Sequence, residues 1–157
     1  MMNETKKQLL KDLSAYFELS LNFPPLTSKV YAYILLDCGR KGVTFDELTA
    51  TFKASKSSIS NSLGFLTQIK EIEYFSKIED RKRLYRIVPY NITLRLQKIQ
   101  DMLNKEKNLA RRIREYKLEI TGKADDPGIL KSNIYTEHLE LAIEQLENTI
   151  EKLKSIT

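Results

Sequence analysis

Between Thr44 and Arg86 the spacing of apolar residues changes from that of helices to that of strands, and this change limits what the chain can fold into. Thr44-Phe45-Asp46-Glu47 fits a capping box: the Thr44 hydroxyl can accept the Glu47 amide, and the Glu47 carboxylate can reach back to the Thr44 amide. The short helix that follows is expected to bury Leu48 together with Phe45 and Phe52. Lys53-Ala54 makes a tight turn, and Ser55 is an N-cap for a second helix over 55–69. In that helix Ile59, Leu63 and Leu66 form a core stripe at spacings of four and three. Ser57, Asn61, Gly64 and Gln68 point almost the opposite way, with Ser60 at the edge of the same arc. Two strand-like runs follow, Ile72–Ile78 and Leu84–Val88, rich in Ile, Tyr, Phe and Val. Between them lies 79–83, Glu-Asp-Arg-Lys-Arg, and Pro89 closes the section. Helix, tight turn, helix and basic hairpin in this order make a winged helix-turn-helix.

Helices surround this section. The first is expected from Glu4 to Ser20, with Leu9, Leu10, Leu13, Phe17 and Leu21 on or near one stripe, ended by Asn22-Phe23-Pro24-Pro25. A second runs to about Cys38 and is crowded with Val30, Tyr31, Tyr33, Ile34, Leu35 and Leu36, which predicts a central place in the core; Gly39 is a natural stop. After Pro89, Ile92, Leu96, Ile99, Leu103, Ala110, Ile113 and Ile120 form a helical stripe, widened by Met102, Leu109 and Tyr116. Thr121–Gly128 reads as a loop. A last helix carries Leu139, Ala142, Ile143, Leu146, Ile150 and Leu153, with glutamates around them. Two long amphipathic helices joined by a short loop form either an antiparallel pair or parts of a dimer bundle.

The net charge of +5 is unevenly spread. Residues 26–88 carry 11 Lys and Arg against 7 Asp and Glu, net +4, and residues 89–120 carry 8 against 4, again net +4. Residues 121–157 carry 4 against 7, net −3. A polyanion would therefore meet the middle of the chain and not its acidic end. No apolar run approaches the ~20 residues that span a bilayer, and the first residues lack the apolar centre of a signal peptide. A single cysteine, Cys38, allows no internal disulfide, so a cytoplasmic, membrane-free protein is expected. Cys38 reads as a buried core thiol, although Arg40 and Lys41 beside it would favour a redox role. The lone His138 and the pair Asp125-Asp126 do not make a metal site, and no nucleophile–base pair or phosphate-binding glycine loop is visible. Neither an enzyme nor a cofactor is expected.

The chemistry that remains is recognition of duplex DNA. A helix entering a major groove must present a polar face free of bulk. Ser57, Ser60, Asn61 and Gln68 supply one: Asn and Gln can pair bidentately with adenine, and Ser serves several bases. Lys56 and Ser58, near the helix N-terminus, suit phosphate contacts. Arg81, Lys82 and Arg83 on the hairpin suit a minor groove or its flanking phosphates. Phe65, beside the polar face, is expected to pack on the wing or on the preceding helix. The alternative is a winged-helix module that binds protein and not DNA, with the terminal helices as an assembly platform.

The segment TFDELTATFKASKSSISNSLGFL, followed by RKRLYRI, resembles the winged-helix core of the MarR superfamily and is most similar to its GbsR-like branch of transcriptional regulators. The LTSKVYAYILL helix and the Ser-Lys-x-x-Ile-Ser-x-x-Leu pattern at Ser55–Leu63 carry most of the likeness, which covers roughly residues 5–120. The resemblance implies a mainly α protein with a small β-hairpin wing, flanked by N- and C-terminal dimerisation helices. Its parts would be an N-terminal helix over 1–25, a DNA-binding domain over 26–89 and two long dimerisation helices over 90–157. It implies a homodimer reading a pseudo-palindromic double-stranded operator, modulated by a small-molecule effector, with Ser55, Lys56, Ser57, Ser60 and Asn61 on the helix and Arg81, Lys82 and Arg83 on the wing facing the DNA. Some relatives sense a quaternary ammonium compound, for which an aromatic cage would be wanted. The eight tyrosines are not gathered by the sequence into such a cage, so no effector is named.

Overall fold

The structure, a computed structural model, describes residues 3–37, 42–77 and 80–156, with Asp37, Asp80 and Arg81 described in backbone only. Contacts divide the chain into two compact units, Met1–Pro89 and Tyr90–Thr157.

In the first unit Asn3 caps helix α1 (Glu4–Leu21) by accepting the Lys6 amide at 2.8 Å. The helix stops at Asn22, which adopts the left-handed conformation at φ 54°, a geometry asparagine tolerates better than most residues. Helix α2 (Pro25–Asp37) opens on a proline, whose missing amide is no loss in a first turn. Val30, Tyr31, Ala32 and Ile34 have no exposed surface. A helix covered on several sides is central, as expected, although Leu35 faces outward. The expected end at Cys38, the stop at Gly39, and the redox reading of Cys38 with Arg40 and Lys41 all lie outside the described residues.

Around α2 the core gathers Phe17, Val43, Leu48, Ile59, Leu63, Leu66 and Ile72. The Tyr31 ring packs tilted against that of Phe17 at 4.7 Å and edge-on to that of Phe23 at 6.0 Å. Its hydroxyl donates to Glu71 Oε2 at 2.7 Å. A buried polar pair, Thr27 Oγ1 to Ser62 Oγ at 3.1 Å, joins α2 to the inner face of α4 (Lys56–Gln68).

Thr44 Oγ1 accepts the Glu47 amide at 3.1 Å and starts helix α3 (Phe45–Phe52), as the capping box predicts. The Glu47 carboxylate, expected to return to the Thr44 amide, accepts the Tyr33 hydroxyl at 3.0 Å and so fastens α3 to α2. Lys53, left-handed at φ 47°, makes the turn. Ser55 then caps α4 by accepting the Ser58 amide at 3.2 Å. Phe65 packs against the core cluster that includes Leu48 of α3 and Ile72. It meets Phe23, in the link between α1 and α2, edge-on at 5.4 Å, because that link crosses its side of α4.

The sheet is three-stranded, in the order β1-β3-β2, with both pairings antiparallel: β1 (Val43–Thr44), β2 (Ile72–Lys77) and β3 (Asp80–Ile87). Two residues are too few to show a period, so β1 is not legible in the sequence. Gly42 precedes it at φ +79°, and a Cβ there would stand 2.9 Å from Leu84 Cβ and from the Phe75 ring. Close approach and positive φ together require glycine.

The wing differs from expectation. β3 begins at Asp80, not Leu84, because the ladder continues from Leu84 to Arg83, which pairs with Ser76, and resumes at Asp80 opposite Lys77. One step on β2 thus faces three on β3, and Arg81 and Lys82 fall within this irregularity. Ile78 and Glu79 lie outside the described residues.

The second unit pairs α5 (Asn91–Thr121) with α6 (Pro127–Lys154) as an antiparallel hairpin. Gly122 ends α5 at φ 64°, and Asp126 caps α6 by accepting the amides of Gly128 at 2.9 Å and Ile129 at 3.3 Å. Asp126 is thus a helix cap, and Gly128, expected in the loop, belongs to the helix. Leu139, Ile143 and Ile150 of α6 are buried, while Leu96, Leu103 and Ala110 of α5 are half-buried. Arg114 donates to Asn133 at 2.8 Å, and the Tyr135 hydroxyl donates to Glu106, a bond that holds this phenol above its usual pKa of 10.0. The rest of the α5 stripe is not covered: Ile92, Met102, Leu109, Ile113, Tyr116 and Ile120 are each more than half exposed, and Ile99 is exposed as well.

Candidate nucleic-acid interface

Burial of Ile59, Leu63 and Leu66 fixes the rotation of α4 and turns its other side outward. Ser57, Ser60, Asn61, Gly64 and Gln68 are all exposed, as are Ser55 and Lys56 at its start. Ser58 is half-buried, and its hydroxyl lies 2.7 Å from Ser55 Oγ, which is also 3.1 Å from Ser57 Oγ. The three hydroxyls therefore form a local cluster at the helix N-terminus, beside backbone amides that carry partial positive charge.

Across from α4 stands the β2–β3 hairpin. Side chains alternate along a strand, so Tyr74, Tyr85 and Arg83 share one face: Tyr74 pairs with Tyr85, and Ser76 with Arg83. The two tyrosine rings lie edge to face at 6.5 Å. Between this face and α4 runs a groove of about 410 Å³ lined by Phe45, Ser60, Leu63, Gly64, Thr67, Gln68, Tyr74, Arg83 and Tyr85. A hollow of similar size continues past Ser60 to Thr44, Asp46 and Lys82. A Cβ placed on Gly64 would meet nothing within 4 Å, so the bare backbone here leaves the groove open.

The hairpin arginines are held differently. Arg86 is bound to Glu73, with Nη2 at 2.7 Å and Nε at 2.8 Å from Oε1, and lies over the Phe75 ring at 4.4 Å. Arg83 lies over the Tyr74 ring at 5.0 Å, and an aromatic face holds a guanidinium without neutralising it. Lys82 is exposed beside it, while the side chain of Arg81 is outside what is described.

The chain superposes on a crystal structure of a transcriptional regulator with a TM-score of 0.60 and 18% identity, over 96% of this chain and 99% of the other. It has the fold of that regulator. Two mutants of S. aureus MepR also align, with TM-scores of 0.44 and 0.43 at 15% and 14% identity, over 87% and 90% of this chain and 93% and 99% of theirs. No protein-family model matches the chain, and no curated protein matches it. Among the described residues, no helix is long and apolar enough to cross a membrane.

The structure thus places Ser60 and Gln68 in one groove with Arg83, and Lys82 in the adjoining hollow. Ser57 and Asn61 stand on the exposed side of α4. Tyr74 and Tyr85 belong to the same groove; the sequence offers them as strand-formers and among the eight tyrosines it does not gather into a cage. Their pairing was available in principle, since it needs only the hairpin register, but the irregularity beside Ser76 hides that register.

Proposed function

We propose that this protein is a homodimeric, sequence-specific, double-stranded-DNA-binding transcriptional regulator of the MarR superfamily, in its GbsR-like branch. The observation that carries the proposal is the exposed Ser/Asn/Gln face of α4, set across an open groove from the cationic strand β3. In this reading α4 enters the major groove, where Ser57, Ser60, Asn61 and Gln68 meet base edges. Ser55, Lys56 and Ser58 take phosphates at the helix N-terminus, and the wing residues Arg81, Lys82 and Arg83 lie at the adjacent minor groove and its backbone. The exposed apolar side of α5 supports a second copy of the chain as partner, because a helix with apolar residues on two sides is buried on both.

A salt titration with duplex DNA tests the proposal. Lys56, Lys82 and Arg83, doubled by the dimer, make about six phosphate contacts, so raising salt from about 50 to 200 mM should lower affinity by about 10³. No binding at low salt would reject the DNA reading in favour of a protein-binding module. Asn61→Ala is expected to reduce preference for the operator over random duplex by about tenfold, since one bidentate base contact discriminates by about 1–3 kcal/mol. Equal losses on both duplexes would show that Asn61 does not read sequence.

A further inference from the structure

We infer that Tyr74 is a positioning residue for Arg83, and that Arg83 thereby grips a DNA phosphate beside α4 instead of extending into the minor groove with the hairpin tip. This inference rests on the DNA reading above and assigns one of its contacts. Strand alternation puts Tyr74 and Arg83 on the same face of the hairpin, the face that lines the groove with Ser60, Gly64 and Gln68. The guanidinium lies 5.0 Å from the centre of the Tyr74 ring, and the Tyr74 ring is itself braced edge-on by Tyr85. Tyr74 remains 54% exposed, so covering apolar surface does not account for its place.

The contrast with Arg86 sharpens the point. Both arginines sit on β3 over an aromatic ring, but Arg86 is closed by the Glu73 carboxylate on the opposite face of the hairpin. Arg83 keeps its charge and its hydrogen-bond donors, because stacking uses the face of the guanidinium and leaves its edge available. Among the described residues lining the groove and its adjoining hollow, Asp46 is the one carboxylate, and it stands at the start of α3, where the helix dipole favours it. A charge held here faces the outer side of α4. When that side occupies a major groove, the nearest anionic partner is the phosphate strand bordering the groove. Pre-setting a long side chain over a ring lowers the entropy lost on binding.

A double-mutant cycle on the full chain tests this. Tyr74→Leu is expected to weaken duplex binding about two- to tenfold and to lower the salt slope by about one per protomer, as Arg83→Ala does. Tyr74→Phe, which keeps the ring, should bind like wild type. In an Arg83→Ala background, Tyr74→Leu should have no further effect on affinity or slope. Additive losses, an unchanged slope for Tyr74→Leu, or an equal loss for Tyr74→Phe would each overturn the inference while leaving the DNA reading intact. A wild-type chain that fails to bind duplex at low salt would overturn both. Circular dichroism melts of each variant separate lost folding from lost contact.

Discussion

Replacing Tyr31 with alanine is expected to lower the thermal midpoint by about 10–15 °C, corresponding to a loss of about 3–5 kcal/mol. The ring has no exposed surface and packs against the rings of Phe17 and Phe23, so it ties α1 and the link after it to α2. Its hydroxyl reaches Glu71, just before β2, so the same side chain also holds the root of the wing. Truncation opens a cavity among aromatic rings and removes a donor from a part-buried carboxylate. Tyr31→Phe separates the two effects: it keeps the ring and removes one hydrogen bond, with an expected cost of about 1 kcal/mol. Melting curves by circular dichroism check both variants. An alanine variant that melts within a few degrees of wild type would show that the hub lies elsewhere.

The double substitution Leu109→Glu with Ile113→Glu should turn the proposed dimer into a monomer at micromolar concentration, measured by sedimentation. Both residues lie on the exposed stripe of α5, away from the buried residues of α6, so the hairpin itself should keep its fold. Two pairs of like charges at a symmetric interface oppose association directly. Duplex affinity should fall by about 10²–10⁴, because a dimer binds its second half-site as an intramolecular event. If the variant still sediments as a dimer, the interface lies on other surfaces.

The local devices were legible in the sequence. Thr44 and Ser55 announce their helices because a hydroxyl three residues before an amide needs no tertiary partner to act. Ile59, Leu63 and Leu66 announce the rotation of α4 because one periodic stripe suffices to orient a helix. What depended on distant partners was hidden. The Tyr31–Glu71 bond joins residues 40 apart, and the Phe65–Phe23 contact depends on where the link after α1 crosses α4. The start of β3 was misplaced because its charged first residues oppose β-propensity and are carried by a ladder set elsewhere. The α5 stripe read as one seam, whereas the structure divides it between a side facing α6 and an exposed side. For the same reason the Tyr74–Arg83 pair could not be read: it needs a register that the irregularity beside Ser76 displaces.

Thr44 performs two tasks, capping α3 and pairing with Leu84 on β3. From Leu84 the ladder reaches Asp80 over two steps of β2, Phe75 to Lys77, about 7 Å at the usual rise per residue. Thr44 is thus the point about which the hairpin would tilt as a lever, and a tilt of about 5° there would carry Asp80 about 0.6 Å over that length. Gly42, wedged between Leu84 and Phe75, acts as the bearing against which the lever turns. On this side a pull on the far end is delivered to the Thr44–Glu47 bond, the first turn of α3.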